Sequence, residues 1–205
     1  MSFLSNIKIS NVTNLSDARY AAAVGINYIG FCFDSESTNY IAPIKAKEMI
    51  DWITGSHIVA EFGNQSIDEI KDISELLNVD VIEINNRILP DELPGFAKAI
   101  IKKIDLSNYN LNQLNTELEA YKNYCDAFHL YSSQEHLNYT ENELTEVCAN
   151  YKIIWGLAIT NHNVLNIINN IKPFAINVSG GQEEKAGIKD FDELNDLLEV
   201  ITKED

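Results

Sequence analysis

The sequence predicts a single (β/α)8 barrel, a TIM barrel spanning residues 1–205, and two observations carry that expectation. Short apolar runs rich in Ile, Val, Phe and Tyr recur eight times, starting at residues 7, 28, 57, 80, 99, 126, 152 and 174. Their starts lie roughly 20 to 30 residues apart, the length of one strand plus one helix. A doubly wound open sheet is the rival. It uses fewer strands at this length, and the first strand-to-helix turn, KISNVTNLSDA, lacks a dinucleotide glycine fingerprint.

The elements follow in order. IKIS opens as the first strand, and SDARYAAAVG spaces Ala and Val at three- and four-residue intervals before Gly25, a helix C-cap. YIGFCF and HIVAEF read as the second and third strands. SIDEIKDISELLNV then starts on Ser66 as N-cap, with Glu69 at the capping-box position and Ile67, Ile70, Ile73, Leu76 and Leu77 on one stripe. DVIEI, AIIKKI, DAFHLY, KIIWGL and FAINVS supply the remaining strands, and KDFDELNDLLEVI the last helix. In a barrel the C-terminal strand ends and the loops beyond them form the working face. Counting back by twos from each end turns Lys8, Ser10, Glu83, Asn85, His129, Tyr131, Asn177 and Ser179 inward.

Composition bounds the partners. The chain carries 31 acidic against 15 basic residues, a formal net charge of -16, and no Lys/Arg block. Nucleic acid and anionic membrane surfaces are therefore not expected as partners, since both are held by clustered cations. Cys32, Cys125 and Cys148 are odd in number and lack metal-ligand spacing, which fits reduced thiols and no metal or cofactor. MSFLSNIKIS has no charged segment ahead of a long apolar stretch, and no run approaches about 18 apolar residues. Neither a signal peptide nor a membrane span is expected, and the expected compartment is the cytoplasm. Monomer and homodimer both stay open.

The strand ends carry a resemblance. KISNVTNLSDARYAAAVGINYIGFCF resembles the opening of phosphoribosylanthranilate isomerase, the tryptophan-pathway barrel whose first strand reads Lys-Ile-Cys-Gly-Ile-Thr. STNYIAP is similar to that family's Ser-Pro-Arg-Tyr and the apolar residue after it, and VAEFGNQSIDEI to its Val-Gly-Val-Phe-x-Asn-Gln. INVSGGQEEKAGIKD resembles Asp-Val-Ser-Ser-Gly-Val-Glu followed by Pro-Gly-x-Lys-Asp, the last strand and its phosphate loop. The ordered set runs from residue 7 to 200. It implies an isomerase barrel that takes a phosphorylated small molecule, with Ser179, Gly180 and Gly181 as the phosphate cradle.

The departures fall on the chemistry. Ser10 stands at the family's Cys base and Tyr131 at its Asp acid, while Asn39 replaces the substrate-binding Arg. Glu83, Ile84, Asn85 and Asn86 replace Gln-Leu-His-Gly, and Asn177 replaces the final strand's Asp, so that Asn39, Glu83 and Asn177 become the substrate-binding positions. SSQEHLNYTENE has no Gly where the family has a Gly-rich loop, and Leu157 and Ala158 fill its second phosphate turn. The family reaction, an Amadori rearrangement, needs an acid at the furanose oxygen and a base at C2. An unassisted serine hydroxyl is not such a base, and a phenol with a reference pKa of about 10 is a poor substitute for a carboxylic acid.

Three readings follow. The first is a degenerate barrel, weak or inactive as the isomerase, that binds a phosphorylated small molecule. The second is a working isomerase with relocated groups, Tyr131 or His129 acting with Asp17 or Glu83. The third is a non-catalytic interaction protein. Several residues also have plain structural roles: Lys8 pairing with Glu83, His129 as a satisfied core histidine, and Asp17 as a surface or first-turn charge.

Overall fold

The computed structural model describes residues 2–85, 88–179, 183–185, 188–189 and 192–203. Eight parallel strands close into a barrel in chain order: β1 (Asn6–Ser10), β2 (Tyr28–Cys32), β3 (His57–Glu61), β4 (Val81–Ile84), β5 (Ala99–Asp105), β6 (Ala127–Tyr131), β7 (Ile153–Gly156) and β8 (Ala175–Ser179). Pairing of β1 with β8 closes the ring, and its register sets Ser10 opposite Ser179. The loop after β8 carries a short antiparallel pair, β9 (Glu183–Lys185) and β10 (Ile188–Lys189).

The crossovers are α1 (Leu15–Val24), α2 (Pro43–Ile50), α3 (Ile67–Leu77), α4 (Leu111–Tyr121), α5 (Glu141–Asn150), α6 (Val164–Asn166, continuing as a π-helical turn over Ile167–Ile171) and α7 (Asp192–Val200). Their ends obey local chemistry. Ser66 caps α3 in a reciprocal box with Glu69, and α1 stops at Gly25, whose φ of 90° suits a residue without Cβ. One crossover departs from the expected alternation. Among the described residues between β4 and β5 there is only a 3-10 turn, Pro90–Gly95, in which the interior Pro94 opposes a regular α-helix.

The strands divide the interior by alternation. Outward-facing Ile7, Ile9, Ile29, Phe31, Ile82 and Ile84 are buried beneath the helices. Inward, Val59, Val81, Ile101, Ala127, Ile154 and Ala175 form an apolar layer towards the strand starts. One step further along, the interior turns polar, with Glu61, Glu83 and His129 on β3, β4 and β6 joined by Lys8 from β1, all buried. Among the described residues no helix is long and apolar enough to cross a membrane.

Candidate active site at the C-terminal mouth

Lys8 organises the polar layer. Its ammonium, fully enclosed, pairs with Glu61 and lies 3.1 Å from Glu83 Oε2. It also donates to Ser10 Oγ at 2.5 Å and to Asn177 Oδ1 at 3.4 Å, and the Ser10 hydroxyl in turn donates to Asn177 Oδ1 at 2.7 Å. Burial alone would lower the Lys8 pKa, but the Glu61 and Glu83 carboxylates raise it above the ordinary lysine value. The expected Lys8–Glu83 pair therefore forms, with a second carboxylate on the same ammonium.

Glu83 and His129 make the other half of the network. His129 Nδ1 lies 3.0 Å from Glu83 Oε2, and Lys103 Nζ lies 3.8 Å from Glu83 Oε1. Burial raises the Glu83 carboxyl's pKa, yet Lys8 and His129 hold it well below the usual carboxylate range. Burial pushes the His129 imidazole down, and Glu83 only partly offsets this. Glu83 is 1% exposed and His129 2%, so neither lies open to the mouth. His129 also differs from a satisfied core histidine, because its Nε2 finds no hydrogen-bond partner among the described residues. That atom faces Gly156, where a Cβ would overlap it.

Tyr131 sits above this layer, half-buried, with Lys103 Nζ 4.9 Å from its ring centroid. Burial, then the Asp105 carboxylate, pushes its phenol up, so it holds its proton at neutral pH. Asp105 is in register with Tyr131 on the neighbouring strand. Its Oδ1 accepts from the Ser107 hydroxyl at 2.7 Å and from Ser133 N–H at 3.1 Å. Burial raises its pKa, but these bonds leave it below the ordinary aspartate value.

The remaining expected residues divide. Asn177 and Ser179 lie at the end of β8, Asn177 tied to Ser10 and Ser179 exposed. Asn39 is on the β2–α2 loop at the same barrel end, its N–H donating to Ser37 Oγ at 3.1 Å. Gly180 and Gly181, with Asn86, Gln182, Gly187 and Asp190, lie outside the described residues. Beside Ser179 and Asn177, a cavity of about 560 Å³ opens against Gly156, Leu157, Ala158 and His162 of the β7 loop. Asp17 is corrected: it lies in the first turn of α1 but is buried, not at the surface.

Sequence reasoning missed Glu61. The side chain is 6% exposed and accepts from Asn11 N–H at 3.2 Å through Oε2. Two signals were available. Gly30, on β2, leaves the space that the Glu61 carboxylate occupies, since a Cβ there would overlap Oε1. Asn11 has φ 61°, a left-handed conformation that Asn tolerates, and this turn aims its N–H at the carboxylate. Cys32 is in register with Glu61 on β2, and burial raises its thiol's pKa. Among the described residues no three His, Cys, Asp or Glu side chains group as a metal site.

The family model described as N-(5'phosphoribosyl)anthranilate (PRA) isomerase matches residues 7–200. A curated relative of that name from Syntrophus aciditrophicus is 26% identical, over 98% of this chain and 88% of its own length. The crystal structure of phosphoribosyl anthranilate isomerase from Thermotoga maritima superposes with a TM-score of 0.82 at 21% identity, covering 96% of this chain and 98% of that one. Another isomerase, solved in complex with reduced 1-(o-carboxyphenylamino)-1-deoxyribulose 5-phosphate, gives a TM-score of 0.81 at 21% identity, covering 95% of this chain and 97% of that one. With the match running through all eight strands, the chain belongs to the N-(5'-phosphoribosyl)anthranilate isomerase family.

Proposed function

We propose that the chain is a working cytoplasmic isomerase that converts N-(5'-phosphoribosyl)anthranilate by an Amadori rearrangement, with Tyr131 as a changed acid at the family's position and the base moved away from position 10. The observation that supports this best is the polar layer itself. Beneath Ser10 and Tyr131, the two altered positions, the barrel holds Lys8, Glu61, Glu83 and His129 in one connected set. Buried charge of this density has a desolvation cost that an apolar filling would avoid, and such clusters concentrate at functional sites. In this reading Tyr131, protonated at neutral pH, donates to the furanose oxygen. Asn39 and Asn177 contact the substrate. Glu83 acts beneath the substrate by holding Lys8 and His129, and Ser179, beside the cavity, receives the phosphate together with Gly180 and Gly181, which follow it in sequence.

A second reading, a degenerate barrel that binds the sugar phosphate without turnover, is favoured by Ser10. Its hydroxyl accepts from an ammonium and donates to an amide oxygen, and neither of these partners would activate it as a base. Complementation separates the two. Expressed in a tryptophan auxotroph lacking this isomerase, the chain is expected to restore growth without tryptophan. Failure at confirmed soluble expression would leave the binding-only reading.

A further inference from the structure

We infer that Glu61 is the base that removes the C2 proton, replacing the thiol that the family places at position 10; this rests on the isomerase reading above. The carboxylate ends β3, beside the start of the loops that form the mouth. Lys8 is shared between Glu61 and Ser10, so one ammonium contacts both side chains and the carboxylate lies next to the vacated position. Three features hold it there. Lys8 and the Asn11 N–H fix its two oxygens separately, Gly30 clears the volume it fills, and the Asn11 backbone takes a left-handed turn to reach it. A carboxylate packed only for stability needs neither a left-handed donor residue nor a glycine on the neighbouring strand.

The step balances without a co-reactant. Ring opening gives a protonated imine between C1 and the anthranilate nitrogen. Glu61 takes the C2 proton, the C2–H electron pair forms the C1=C2 bond, and the imine π electrons become the nitrogen lone pair. The resulting enol becomes the ketone as the C2 hydroxyl gives its proton to the Tyr131 phenolate left by ring opening and C1 takes the proton held on Glu61, so both groups return to their starting states. Carboxylates carry out this kind of proton abstraction next to a carbonyl in other barrel enzymes. The Cys32 thiol, in register with Glu61, is the competing group, and its burial keeps it protonated.

The test uses the full chain as Glu61→Gln, Glu61→Asp and the double variant Glu61→Gln with Ser10→Cys. Turnover of N-(5'-phosphoribosyl)anthranilate is measured alongside binding of the reduced carboxyphenylamino-deoxyribulose phosphate. Glu61→Gln keeps the volume and the acceptor for Asn11, and is expected to lower kcat by about 10²–10⁴-fold while analogue binding changes by less than about threefold. Glu61→Asp, which keeps a shorter carboxylate, should retain more activity than Gln and stands in if Gln does not fold. Adding Ser10→Cys to Glu61→Gln should recover activity, because a thiol beside an ammonium is itself a base. A structural Glu61 would not be rescued from position 10. Turnover unchanged in Glu61→Gln, or lost only in proportion to analogue binding, overturns the assignment alone. A wild-type chain without turnover overturns the isomerase reading and the assignment with it.

Discussion

Two layers of the same barrel, one step apart along its axis, follow opposite rules. Towards the strand starts, Val59, Val81, Ile101, Ala127, Ile154 and Ala175 fill the interior with hydrocarbon. Towards the strand ends, Lys8, Glu61, Glu83 and His129 fill it with charge. Both are largely buried, Glu61 at 6% being the most exposed of the four charged or polar side chains, so solvent exposure does not explain the difference. The lower layer closes the barrel by apolar burial at about 25 cal/mol per Å². The upper layer is stable only while every charge keeps its partner, and so tolerates change far less.

Lys8→Met should break that contrast most severely. It leaves Glu61 and Glu83 buried together without their common cation, and breaking a buried pair costs about 3–5 kcal/mol. Urea denaturation at neutral pH measures the loss. A cost below about 1 kcal/mol would mean that the two carboxylates reach water or another cation.

Gly156→Ala should come next. The new methyl would meet the His129 ring and the Leu130 carbonyl, and neither is the end of a flexible chain. Overpacking of this kind costs about 1–3 kcal/mol, read from the same titration. The glycine is there for space, since a Cβ at that point collides with the ring.

Acid should then weaken the upper layer in two stages. His129 binds a proton less readily folded than unfolded, so stability declines as pH falls below the ordinary imidazole value of about 6.5. Glu83 stays charged when folded at pH values where it would be protonated unfolded. Its contribution is therefore present above about 4.3 and lost as pH falls towards its lowered folded value. Lys8 has the opposite sense, contributing below about 10.4 and losing that contribution as pH rises through its raised folded value. Each group adds at most about 1.4 kcal/mol per pH unit. Thermal melts of wild type and His129→Gln between pH 7 and 5 check the first stage, and the variant should show the flatter curve.

The smallest effect belongs to the lower layer. Ile154→Val removes one methylene from hydrocarbon surroundings and should cost about 0.5–1.5 kcal/mol. Its pH dependence should match wild type. A changed acid limb would mean that the two layers are coupled.

What could be read from the sequence follows the same division. Strand and helix periodicity gave the barrel, because alternation and capping are local signals, as at Ser66 and Gly25. The Lys8–Glu83 pair was legible because a lysine turned into a barrel needs a partner. Glu61 was not, because one glutamate at the end of HIVAEF looks like the polar side of an alternating strand. Its signal lies in Gly30, 31 positions earlier, and only strand register connects them. Lys102 and Lys103 make the same point. Adjacent in sequence, one packs outward against Glu117 and the Tyr121 ring, while the other reaches Glu83 and Tyr131 in the mouth. The buried Asp17 was misread because a charge in a first helical turn is usually solvated.

The most direct test of the account is the steady-state rate of the purified wild-type chain on N-(5'-phosphoribosyl)anthranilate, followed by loss of substrate and appearance of the ketose product. The account predicts saturable turnover proportional to enzyme, with kcat within the ordinary enzyme range of about 1–10³ s⁻¹. A rate no greater than the spontaneous reaction, from folded protein that still binds the reduced analogue, would contradict it. It would mean that the charged upper layer is inherited architecture around a site that no longer moves protons.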